Sequence, residues 1–166
     1  TGVRVGLSAM RGLSLAMGVP VAGFGTLHMM ALGSAVPMRR LVAVDARRDK
    51  YYTQICSPDG TPCEPPTARS FKACLALGVE DHDPKFTVIG TGAAKICTPE
   101  NSGFSADSAP HWPQADVLAA HAAGLTMDEL AARPATPIYL RPPDATLPDS
   151  RKNLIFAPAK DGCTAL

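Results

Sequence analysis

The first twenty-seven residues, TGVRVGLSAMRGLSLAMGVPVAGFGTL, restrict the fold more than any other stretch. Val5 to Met17 reads as a helix with two apolar stripes. Val5, Ala9, Gly12 and Ala16 form a stripe of small side chains, and Leu7, Met10, Leu13 and Met17 a bulky, adaptable one. A helix apolar on two sides is either central in a core or an interface, and periodicity alone favours the core. Gly18 ends the helix and Pro20 prevents its continuation. Val19 to Gly23 reads as a short buried strand, and Thr26 as the N-cap of a second helix ending near Gly33. Helix, strand and helix in this order point to α/β layers.

The rest of the chain extends that pattern. Leu41 to Val44 is an unbroken apolar run, as in a strand buried on both faces. Leu41 to Ile55 reads as a β-hairpin closed by the charged turn Asp45 to Lys50. Ser57 to Pro66 is a loop with a turn at Pro58-Asp59-Gly60. Ser70 caps a short helix through Leu77, and Gly78 ends it. Glu80 to Lys85 is an acidic turn. Phe86 to Ile89 is a buried strand running into Gly90-Thr91-Gly92, and Pro99 to Pro110 is a polar loop. Asp116 to Ala123 is an alanine-rich helix, and Thr126 to Glu129 is a capping box opening another. Pro137 to Pro143 reads as a proline-fenced edge strand. Residues past Ala145 read as a mobile tail.

Composition excludes several functions. A formal net charge of +1 gives no electrostatic footprint for nucleic acid or a membrane surface. Five cysteines without a CxxC pair argue against a disulfide framework or structural zinc site, and for free thiols in a reducing cytoplasm. The apolar region from Leu13 to Leu32 is too interrupted to span a bilayer. The four histidines show neither HxxxH nor HExxH spacing, so no metal site is expected. His111 and His121 meet only if folding brings them together. There is no G-x-S-x-G nucleophile elbow and no GxxxxGK[ST] phosphate loop. Cys74 and Cys97 read as inert buried or half-buried thiols.

Two weaker signals remain. Gly90-Thr91-Gly92 follows a strand and opens a helix, an arrangement able to offer backbone N–H groups to an anion, although a tight turn holding nothing explains it as well. Asp45, Arg47, Arg48 and Asp49 form the densest charge cluster. It reads as a solvated hairpin turn with local ion pairs, or as a phosphate site on the two arginines.

Three stretches together resemble one family. TGVRVGLSAMRGL, VAVDARRDKYYTQ and PIYLRPPDA are similar, in the same order and rough spacing, to the TGVRIGL…KGLA segment, the DARxxxVY hairpin and the closing PxYLRPPDA motif of the TsaB (YeaZ) family. The matching motif residues are Thr1, Gly2, Val3, Arg4, Asp45, Arg47, Tyr139, Leu140 and Arg141. Arg11 stands where that family has lysine. The resemblance implies a two-lobed, ribonuclease-H-like α/β fold of the actin/Hsp70 (ASKHA) type. Residues 1–36 would be the remnant of an incomplete N-terminal lobe, 37–145 a C-terminal α/β lobe and 146–166 a flexible tail, in a chain truncated before Thr1.

It further implies a cytoplasmic, non-catalytic subunit of the complex forming N6-threonylcarbamoyladenosine at position 37 of ANN-decoding tRNAs. The partners would be TsaD, the transferase, and TsaE, with a homodimer when TsaD is absent. tRNA would be met only through the complex. ATP would be used by the complex, with no cofactor held by this chain. Both stripes of the first helix are candidate interface, one packing on the Val19–Gly23 strand and the other facing a partner. An ASKHA-type nucleotide-binding enzyme using Gly90 to Gly92, or a gene fragment with no function of its own, are the alternatives.

Overall fold

The computed structural model describes residues 2–78, 86–101, 103–107 and 110–141. Thr1, the acidic turn at Glu80 to Lys85 and the segment past Ala145 lie outside the described residues. The helices are α1 (Gly2–Met17), α2 (Thr26–Leu32), α3 (Phe71–Leu75), α4 (Ala93–Ile96), α5 (Ala115–Ala123) and α6 (Met127–Ala131). The strands are β1 (Arg40–Asp45), β2 (Lys50–Cys56), β3 (Thr67–Ser70), β4 (Phe86–Ile89) and β5 (Phe104–Ala106).

They form one five-stranded sheet in the order β3-β2-β1-β4-β5. The first three strands are an antiparallel meander, whereas β4 runs parallel to β1 and β5 parallel to β4. The expected hairpin sets the register of the meander, with Val42 opposite Gln54 and Asp45 opposite Tyr51. The apolar run of β1 is buried on both faces because helices cover both. Leu41 and Ala43 face Cys74 of α3 and Ile96 of α4, together with Tyr51, Val88 and Phe104. Val42, Cys56 and Ile89 face Leu27, Met30 and Ala31 of α2. Each fully buried Leu, Ile or Val here contributes roughly 1.5–3 kcal/mol of transfer free energy.

Local signals acted as the sequence suggested at several ends. Ser70 accepts a hydrogen bond from the Ala73 N–H and caps α3, which closes through one 3₁₀ turn at Ala76–Gly78. Thr126 and Glu129 form the complete capping box of α6. At α2 the cap differs: Gly25 is the N-cap, and Thr26 is already the first helical residue, with no side-chain cap.

Two expected strands are absent among the described residues, which end at Arg141 within the second of them. Val19 to Gly23 is extended but exposed to half-buried, and its pairing is one bridge between Ala22 and Pro134. Pro20 lacks an N–H, and no described strand runs alongside. Pro137 to Arg141 likewise joins no ladder and lies across a groove instead. Two short strands had no apolar run to announce them. β3 (TARS) is placed by pairing with β2 and by Arg69, whose guanidinium forms a bidentate ion pair with Glu64 at 2.8 Å. β5 (FSA) contributes Phe104 from within the polar loop.

Arg40 is the first residue of β1 and is buried, one position before the apolar run begins. Its Nη2 donates to the carbonyls of Ser34 (3.0 Å) and Val36 (2.8 Å), and Nη1 to that of Ser57 (3.3 Å). One guanidinium thus gathers the connector after α2 and the loop after β2 at the same end of the sheet.

Candidate functional site

Helix α1 is sixteen residues long, and none of its side chains is buried. Leu15 is 86% exposed and Met17 69%, and Val3, Val5, Met10 and Leu13 are each at least half exposed. Both stripes therefore face solvent, except that Leu7 is half-buried. The expectation that one stripe packs on Val19 to Gly23 does not hold. A side chain added at Gly12 would meet nothing within 4 Å, so the small stripe admits no close neighbour within this chain.

The helix is held by polar side chains. The Arg4 Nε donates to the Tyr139 hydroxyl at 2.6 Å, and the same guanidinium lies 5.4 Å from that ring's centroid. The Arg11 Nη2 donates to the Ala135 carbonyl at 2.8 Å. This is the position where the resembling family has lysine, and a guanidinium reaches the acceptor here.

These contacts bring separated motifs to one place. A groove of about 710 Å³ is lined by Val3 and Leu7 of α1, by Val44 and Tyr52 of the hairpin, and by Tyr139 and Arg141 near the end of the described chain. Arg141 Nη1 also donates to the Ala46 carbonyl at 3.3 Å. Parts of the three motif stretches thus converge, with Gly2 at the start of α1 and Leu140 on the groove wall, whereas Asp45 and Arg47 line a separate cleft. Sequence order alone gave no signal of this, because Arg4 and Tyr139 lie 135 positions apart.

The hairpin turn is more constrained than a solvated loop. Arg47, Arg48 and Asp49 all have left-handed backbone (φ 61°, 52° and 57°), which non-glycine residues seldom adopt. Asp45 stabilises the turn. One carboxylate oxygen accepts from the Arg47 N–H at 2.7 Å, and the other pairs with Lys95 of α4 at 2.9 Å. The Lys95 hydrogen bond, then that from Arg47, holds the Asp45 carboxyl below the usual range. A second cleft of about 700 Å³ lies between this turn and α4, floored by Tyr51 and Phe71.

The Gly90-Thr91-Gly92 turn is a packing device. Gly90 has φ +105°, and a Cβ there would sit 2.6 Å from the Ala43 carbonyl oxygen; at Gly92 it would strike the Tyr51 ring at 2.9 Å. The Gly92 N–H donates to Ala43 O and the Ala93 N–H to Gly90 O, while the Thr91 hydroxyl accepts from the Asp45 N–H. The Gly92 and Ala93 N–H groups are thus engaged within the protein rather than offered to an anion, and α4 has only four residues.

Among the described residues no three His, Cys, Asp or Glu side chains are grouped to hold a metal ion. Burial pushes the Cys56 thiol up to about 12 and raises those of Cys74 and Cys97, which fits unreactive thiols. His121 meets a histidine, but its neighbour is His28 rather than His111. No helix among the described residues is long and apolar enough to cross a membrane.

No family model and no curated protein matches the chain. Among solved structures, it is similar to the crystal structure of an uncharacterized protein with similarity to peptidase YeaZ from Pseudomonas aeruginosa. The TM-score is 0.58 and the identity 23%, over 84% of this chain and 68% of that one. The likeness is one of fold.

Proposed function

We propose that this chain is a TsaB-like protein of the ribonuclease-H-like fold. Its role is that of a non-catalytic subunit in forming N6-threonylcarbamoyladenosine at position 37 of ANN-decoding tRNAs. The observation that carries this reading is the uncovered α1, a helix with apolar side chains facing outward in a chain of YeaZ-like fold. Apolar side chains gathered on one exposed element mark an interaction surface. In this reading α1 meets TsaD, or a second copy when TsaD is absent, and TsaE joins with ATP used by the complex. The convergence of parts of the three family-like motifs around one groove supports the assignment.

The test is co-expression of the tagged chain with TsaD, with Leu13→Asp as the disrupting variant. Co-purification of the parent and its loss in the variant, with the circular dichroism spectrum retained, is the expected result. Failure of the parent to co-purify, together with unchanged tRNA modification on depletion, overturns the proposal.

A further inference from the structure

His28 of α2 and His121 of α5 stand edge to face, with ring centroids 5.4 Å apart and planes at 77°. Phe24 meets His121 in the same way at 5.7 Å, and the Arg133 guanidinium lies 5.3 Å from the Phe24 centroid. The histidine pair joins α2 to α5, and the two elements meet again where Val117 comes beside Gly33, the C-cap of α2. An imidazolium donates from both ring nitrogens. At His121, Nε2 is buried and has no hydrogen-bond partner.

The surroundings supply little to balance an added charge. α2 (TLHMMAL) carries no other ionisable group, and α5 has only Asp116, exposed in its first turn and engaged with the Val117 N–H. The segment after α6 offers Arg133, a cation. Beneath α2 on the sheet lie Tyr52 and Cys56, which gain no charge as pH falls, and Arg40, which is already charged and spent on carbonyls.

We propose that the α2–α5 contact is a proton-sensitive joint, closed while His28 is neutral against the His121 ring and loosened when His28 is protonated. Burial, then the neighbouring His121 and Arg133, lowers the affinity of His28 for a proton. The open joint takes up that proton more readily. Its stability is therefore complete above pH about 6.5, the ordinary histidine value, and declines as pH falls below it. Because His28 binds a proton less readily when the joint is closed, the opening constant is larger at pH 5.5 than at pH 7.5, by at most about tenfold.

Amide hydrogen exchange of α5 at the two pH values, corrected for intrinsic rates, tests this. The expected result is protection weaker by more than twofold, up to about tenfold, at pH 5.5, and by under twofold in a His28→Phe/His121→Phe variant that keeps ring packing. Protection equal to within about twofold at both pH values in the parent, or an unchanged pH response in the variant, overturns it. If the variant does not fold, the imidazole titrations of the parent followed by NMR decide. A His28 midpoint below 6.5 supports the joint, and one at or above 6.5 overturns it.

Discussion

Helices α1 and α2 are made of similar material and end in opposite environments. Both are rich in Leu, Met and Ala, and neither has an acidic residue in its first turn or a basic one in its last. In α2, Leu27, Met29, Met30 and Ala31 are buried against the sheet. In α1 nothing is buried. Apolar periodicity shows that a helix has a face to cover, but what covers that face is decided elsewhere in the chain. For α2 it is decided by β1 and β2, whose Val42 and Cys56 supply the complementary surface.

The sharpest way to break this comparison is to truncate one methionine in each helix. Met30→Ala should cost about 2–5 kcal/mol in chemical denaturation, whereas Met17→Ala should stay within about 0.5 kcal/mol. Equal costs would mean that α1 is covered in solution. Arg40→Met should follow, at about 1.5–3 kcal/mol, because it leaves three backbone carbonyls without their donor; recovery of that loss in Arg40→Lys would show that charge alone suffices. Tyr139→Phe should cost only about 0.5–1.5 kcal/mol, read as faster amide exchange confined to α1.

The smallest effect concerns acid. Asp45 is held below its ordinary carboxylate range by Lys95 and the Arg47 N–H. Its contribution is thus present above about pH 4 and lost as pH falls through the lower folded value. Asp45→Asn should flatten the acid side of the stability curve slightly, with the thermal midpoint near pH 3 moving less than at pH 7.

Much of the sheet was legible from the sequence. LVAV and FTVI are apolar runs with turn residues at their ends, so β1 and β4 declared themselves, as did the Asp45–Lys50 turn. β3 and β5 did not, because TARS and FSA carry no period. They are strands because neighbours pair with them and because Arg69 and Phe104 are anchored. Val19–Gly23 and Pro137–Arg141 failed in the opposite sense. Their composition suits strands, but a strand exists only when another backbone accepts its hydrogen bonds. At the candidate site, the double stripe marked α1 as a core helix or an interface, and periodicity favoured the core; its exposure, like the Arg4–Tyr139 contact and the His28–His121 pair, depends on tertiary folding.

The attachment of α1 also has a kinetic side. Arg4 and Arg11 reach partners 135 and 124 positions away in sequence, and no buried apolar side chain of the helix reinforces them. Contacts closing such long loops form only after the intervening chain is compact, so α1 is expected to dock late in folding. The same economy makes it the first element to detach. A protease at low concentration would therefore cut within residues 2–17 while the sheet remains intact, and a bound partner would appear first as protection of that cleavage site.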